Sequence, residues 1–354
     1  MEKIVSGDRL FRELVVLAMR ACQKAERLVP RTGPGRKPII PDWVLATLIT
    51  VAVAARRKKK SAQYRYCQAH AEEFAALGVS PLPSRSTYFD RYQRAWKVVQ
   101  AAILCEGQLA VDQGWAVADC VATDKSLIAS QGPPAHRRQG RPCRVAGADL
   151  QAGWGRSEYD GWVYGYGYEV VVSAGKQGVV WPLLGSVEPA NRHESKMFRE
   201  KLPDLPRQTK SVLADRAYDV DDLTEAIEWA PTGKRTGRRF VCPLIRRANT
   251  GKAPKKPWKR SRQRKLRQTH RQERSRYFNS PIGRRLYSRR MKTAEPFNAW
   301  LKERFELQHR VWHRGLHNNR TQILAAVFSY QLMLHINRLH RRHNGAIAWI
   351  LDAL

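Results

Sequence analysis

Asp124, Asp215 and Glu295 draw notice in a 354-residue chain that carries 64 Lys and Arg against only 31 Asp and Glu. Asp124 lies inside "CVATDKSLI", whose β-branched and apolar content predicts a strand. An isolated charge buried there is costly unless a cation or a partner meets it. Asp215 ends the short apolar run "SVLAD". Glu295 falls on the helical pattern "AEPFNAWLKERF", where it shares a face with Asn298 and Lys302 while Phe297, Trp300, Leu301 and Phe305 take the apolar side. Proline suits only the first turn of a helix, so Pro296 predicts that Glu295 sits close to the helix N-terminus.

Three carboxylates delivered by separate elements define a chemistry. Cleaving a phosphodiester requires an activated water or hydroxyl and a stabilised leaving oxyanion, and two divalent cations held about 3.5–4 Å apart by carboxylates provide both. Mg²⁺ or Mn²⁺, as hard cations, take oxygen ligands, which makes Asp124, Asp215 and Glu295 the candidate metal ligands for a pair of ions. The first two converge if their strands are neighbours, as in a ribonuclease-H-like sheet. Plainer roles stay open beside this one: Asp215 as a helix N-cap or turn residue for "DVDDL", Glu295 as an acid favoured by the helix dipole. Asp219, Asp221 and Asp222 read as capping and dipole residues.

A formal charge of +33 points to a polyanionic partner, and nucleic acid fits best. The most apolar run, Trp43 to Ala55, is too short to span a bilayer and reads as a buried helix. The start, "MEKIVSGDRLFREL", lacks the order of a secretory signal, which places the protein in the cytoplasm, with the nucleoid as its expected address. Cys22, Cys67, Cys105, Cys120, Cys143 and Cys242 are scattered without a CxxC pair and read as reduced thiols.

The elements that must position the acids follow from the pattern. Residues 8 to 30 and 42 to 75 are helical, and a capped helix follows in "LPSRSTYFDRYQRAWKVVQ", with Phe89, Tyr92, Trp96 and Val99 on one face and Arg85, Arg91, Arg94 and Lys97 outside. Arg85, Arg91 and Arg94 are therefore candidate DNA contacts of an N-terminal all-helical DNA-binding region, residues 1–110. "CVATDKSLIAS", "WVYGYGYEVVVSA" and "VVWPLLGSV" predict three antiparallel strands, with a mobile Gly-, Pro- and Arg-rich loop between the first two. Helices over "ESKMFREKLPDL" and "DVDDLTEAIEWA" alternate with strands "SVLAD" and "RRFVCPLI", and His193 reads as a helix-start histidine. Residues 246 to 276 hold fourteen Lys and Arg and a single acid, Glu273, with no acidic partners nearby, so this stretch reads as a DNA-backbone clamp rather than a merely solvated charged loop, with Lys255, Lys256 and Arg260 as its candidate contacts.

"VATDKSLI", "LADRAYD" and "AEPFNAWLKERF", with "VEPANRHESKMF" and "HRGLHNNRTQILAAVFSYQLM", resemble in content and order the DDE transposases of bacterial insertion sequences, of the insertion-sequence-four type. The resemblance covers roughly residues 40 to 340. It implies an α/β fold: a ribonuclease-H-like catalytic domain, a mixed sheet flanked by helices, over residues 115–345, with a basic insertion about 246–280. It further implies Asp124, Asp215 and Glu295 as the triad, Tyr287, Arg290 and Lys302 as accompanying DNA contacts, Mg²⁺ or Mn²⁺ as cofactor, and cleavage and joining of double-stranded DNA at element ends and target. The active form is then a homodimer or a higher assembly on DNA. The family signature places three residues between arginine and glutamate, whereas four separate Arg290 from Glu295, which leaves Arg289 as an alternative. A nuclease of the same fold without strand transfer and a catalytically silent domesticated DNA-binding protein are the rival readings.

Overall fold

The structure is a computed structural model that describes residues 6–30, 38–135, 137–138, 141–142, 145–176, 179–230, 232, 234–245, 262–342 and 345–354, with backbone alone for 137, 138, 141, 142 and 262–266. The candidate contacts Lys255, Lys256 and Arg260 lie outside the described residues.

Five helices precede the sheet: α1 (Gly7–Glu26), α2 (Asp42–Ala54), α3 (Lys60–Ala69), α4 (Ala71–Ala76) and α5 (Arg85–Asp112). Ser84 caps α5 by accepting from the Thr87 amide at 3.3 Å. The strands are β1 (Cys120–Ala129), a two-stranded ribbon of β2 (Arg137–Arg138) and β3 (Arg141–Pro142), β4 (Gly153–Ser157), β5 (Gly161–Ser173), β6 (Pro182–Pro189), β7 (Ser211–Leu213) and β8 (Arg239–Val241). Between and after them run α6 (Glu194–Lys201), α7 (Asp221–Glu228), α8 (Arg262–Asn279), α9 (Pro281–Arg304), α10 (Leu316–Leu339) and α11 (Ala348–Leu351).

β1, β5 and β6 form the antiparallel part of the sheet, and β7 and β8 extend it in parallel beyond β1. β4 shares the outer edge of β5 with β6. β4 lies in the segment that reads from sequence as a mobile loop, and glycine is the reason. Gly153 and Gly155 face Asn191 and Ala190 so closely that an added Cβ would come within 2.4 and 2.8 Å of their oxygens, so the strand shows no apolar alternation.

α10 is buried on all sides, the mark of a central helix, and packs on α5, α2, α1 and β6. Its polar groups are spent on neighbours: Gln331 Nε2 donates to the carbonyls of Ile103 at 3.0 Å and Pro182 at 2.7 Å, tying α5 to the sheet. The N-terminal helices thus share one core with the sheet. On α5, Tyr88, Tyr92, Ala95, Val98 and Val99 are buried, while Phe89 and Trp96 are half-buried. Of the three arginines picked out on this helix, Arg85 and Arg94 are exposed. Arg91 is not a free DNA contact: it pairs with Asp42 and donates to the Ile40 carbonyl at 2.7 Å.

α8, the described part of the basic stretch, is not without acidic partners. Arg274 and Arg271 reach Asp219 at 2.7 and 2.8 Å, and Arg267 reaches Glu225 at 2.8 Å and Asp222 at 2.9 Å, all three residues seating α8 on α7. His270 stacks on Trp229 with ring centroids 4.4 Å apart. The acids come from residues 219–225, too far along the chain for a local window to show them. Asp219 is accordingly a buried anchor rather than a simple cap. Among the described residues no helix is long and apolar enough to cross a membrane, and Cys22, Cys67, Cys105, Cys120 and Cys242 are buried free thiols.

Candidate active site

Register brings the two aspartates together. β1 and β7 are parallel neighbours with Ala122 opposite Leu213, and Asp124 and Asp215 each stand two residues further on. β1 continues as a strand through Asp124, whereas the chain leaves β7 and turns into a 3₁₀ turn, Arg216–Tyr218. Asp215 caps that turn, its Oδ1 accepting from the Ala217 amide at 2.9 Å. The capping role and a place in the site are therefore compatible: one oxygen holds the turn and the other faces Arg290 at 3.8 Å.

α9 crosses this end of the sheet and supplies the rest. Ala294, Phe297, Asn298 and Leu301 are its buried face. Glu295 is not near its N-terminus: α9 begins fourteen residues earlier at Pro281, behind the cap Ser280, and Pro296 lies inside the helix. The amide that Pro296 lacks would have met the carbonyl of Lys292, on the exposed side, and packing of the flanking turns carries the helix through. Trp300 is 44% exposed, outside the core in which the pattern had placed it.

Arg290 is the hub of the cluster. Its Nη2 donates to Asp124 Oδ1 at 2.8 Å and its Nη1 to Glu295 Oε1 at 2.8 Å, with Asp215 the third acid around it. Arg289 points elsewhere, toward the Ala174 carbonyl at 3.4 Å, so the geometry favours Arg290 despite the extra residue before Glu295. Asn298 Nδ2 donates to the other oxygen of Asp124 at 3.0 Å, and the sequence reading had noted only that it shares a face with Glu295. Tyr287 is half-buried, packed edge-on against Phe278 at 5.1 Å. Cys242 Sγ donates to the Asp215 carbonyl at 2.9 Å. None of this could be found from spacing alone.

Electrostatics mark the cluster as strained. Burial pushes Asp124 up to about 6 against the pull of Arg290, with Asp215 adding to the rise. Asp215 is raised as well, again by burial first. Burial works against the charge of Arg290, but Asp124 and Asp215 outweigh it and raise its pKa. Burial lowers that of Lys302, whose ammonium is drawn by Asp160 and Asp124. Beneath the sheet, Glu169 is fully buried between Lys201 and the Tyr218 hydroxyl, which donates to it at 2.6 Å, and so fixes the turn that carries Asp215. His193 is the N-cap of α6 and accepts from the Ser195 amide at 3.2 Å.

The donor set fits a hard divalent cation in kind. It offers carboxylate oxygens from three elements, and beside them Asn298 Oδ1, a buried acceptor with no partner. In arrangement the guanidinium of Arg290 stands among them, and no group of three or more His, Cys, Asp or Glu among the described residues is close enough to hold an ion.

The profile of the transposase DDE domain family matches residues 117–332, from the approach to β1 into α10, and the chain belongs to that family. No curated protein matches the sequence.

Proposed function

We propose that this protein is a ribonuclease-H-like transposase that binds the double-stranded ends of an insertion sequence, cuts them and joins them to target DNA. The observation that carries the reading is that Asp124, Asp215 and Glu295 all surround the guanidinium of Arg290 at the end of two adjacent parallel strands, in a chain of the transposase DDE domain family. In this reading the three acids hold Mg²⁺ or Mn²⁺, which supplies Lewis acidity and an activated oxygen nucleophile to phosphodiester chemistry.

The chain's own residues set the stage for that chemistry. Asn298 fixes the orientation of Asp124, and the amide of Ala217 that of Asp215. Lys302, one helical stretch beyond Glu295, places an ammonium within the field of Asp124, where a phosphate oxygen would be met. In this reading Tyr287, packed against Phe278, and the exposed Arg85 and Arg94 of α5 contact the DNA backbone. The net charge of +33 supports a phosphate-dominated association, lost steeply with salt.

The test is incubation with DNA carrying the element's own ends and a target plasmid in Mg²⁺ or Mn²⁺. Mapped nicks at the end boundaries together with covalently joined product are expected. Nicks without joining would leave a nuclease, and binding without nicks a silent DNA-binding protein.

A further inference from the structure

We propose that Arg290 is an internal counter-cation that competes with the divalent ion for Asp124 and Glu295, and that the acids take metal only when its guanidinium withdraws. This rests on the metal reading above and adds to it the residue that sets metal affinity.

The geometry carries the inference. A cation-binding set and a cation are both present, and the cation belongs to the chain: Arg290 donates to Asp124 and Glu295 at 2.8 Å each and lies 3.8 Å from Asp215. Three carboxylates brought together repel one another, and Arg290 is the cation in contact with Asp124 and Glu295, whereas Lys302 acts on Asp124 only from a distance. The pairing is nevertheless incomplete. Arg290 Nε and Asn298 Oδ1 are both buried and have no hydrogen-bond partner, so the arrangement leaves a donor and an acceptor unused.

The site is also asymmetric. The side chains of Asp215 and Glu295 are 37% and 42% exposed, whereas that of Arg290 is 7% exposed. An ion arriving from solvent therefore meets two of the acids before it meets the guanidinium. The contrast with Asp219 sharpens the point: there two arginines share one carboxylate whose acidity they enhance, and nothing is left for an ion to take. Displacement at Asp124 exchanges one cation for another.

The experiment titrates Mn²⁺ calorimetrically into the full chain without DNA, for wild type, Arg290→Gln and Arg290→Lys, with Asp124→Asn as the variant that removes the site. Arg290→Gln is expected to bind Mn²⁺ about tenfold tighter than wild type, since charge-assisted bonds no longer compete. In chelator its melting temperature should fall below that of wild type, and added Mn²⁺ should raise it by more. Arg290→Lys, which keeps the charge but not the fork, should bind at an intermediate strength and decides the matter if the glutamine variant does not fold. Binding by Arg290→Lys or by a folded Arg290→Gln that equals or falls below wild type overturns the proposal and leaves the metal reading standing. Absence of any Asp124-dependent binding in all forms removes both.

Discussion

Two arginine–carboxylate clusters lie within one domain and differ in their balance of charge. Around Arg290 one base serves three acids; at Asp219 two bases, Arg271 and Arg274, serve a single buried carboxylate that also accepts from the Ile245 amide at 2.8 Å, with Asp221 3.6 Å from Arg271 at its edge. The chemical consequence has opposite signs. Burial raises Asp124 to about 6, while at Asp219 the amide and the two guanidiniums outweigh burial and lower the carboxyl. A carboxylate met by two bases is closed and anchors α8; acids that share a single base are unsatisfied and open to another cation. The sign of the imbalance, rather than the presence of a buried ion pair, separates an anchor from a site.

The largest expected effect lies at the anchor. Asp219→Ala strands Arg274, whose side chain is 4% exposed, and should cost about 3–5 kcal/mol, read as a drop in the urea midpoint. A change near zero would show that the two clusters do not differ in kind. The same residue would make a poor silent control for the site, although its place in "DVDDL" suggests one.

pH should move the clusters in opposite directions. The native pKa of Asp124 is raised from 3.8 to about 6, so in chelator its contribution favours the fold below about 3.8 and is lost as pH rises through about 6. The native pKa of Asp219 is lowered, so its contribution is present above 3.8 and lost as pH falls. Asp124→Asn should therefore flatten the stability profile between 3.8 and about 6, measured by urea unfolding, and a steeper profile there would break the comparison. The smallest effect is at the solvent-facing edge of the anchor. Arg267→Ala should cost only about 0.2–1 kcal/mol and lose its effect in high salt, because its pairs with Asp222 and Glu225 are exposed.

The sequence was legible where local pattern and tertiary demand agree. β1, β5 and β6 follow from apolar and β-branched runs, and the apolar run before Asp215 marks β7, which stops two residues short of it at Leu213. It was illegible where the partner is remote. The arginines of α8 look solvated until residues 219–225 supply their acids, and Arg290 looks like one more base in a basic chain until β1 and the turn after β7 bring aspartates to it. Local rules also misled outright: Pro296 reads as a helix start but lies well inside α9, held by the buried Ala294, Phe297 and Leu301, and glycines conceal β4.

If the acids around Arg290 work by their charge, Asp215→Asn separates charge from shape. Asparagine keeps the shape and can still accept from the Ala217 amide, so the 3₁₀ turn and the fold should persist, with a melting temperature close to wild type. Cleavage of end-containing DNA in Mg²⁺ should be abolished, while DNA binding stays intact or tightens slightly as one charge facing phosphate is removed. Cleavage by Asp215→Asn near the wild-type rate would contradict the account and return Asp215 to the role of a turn residue.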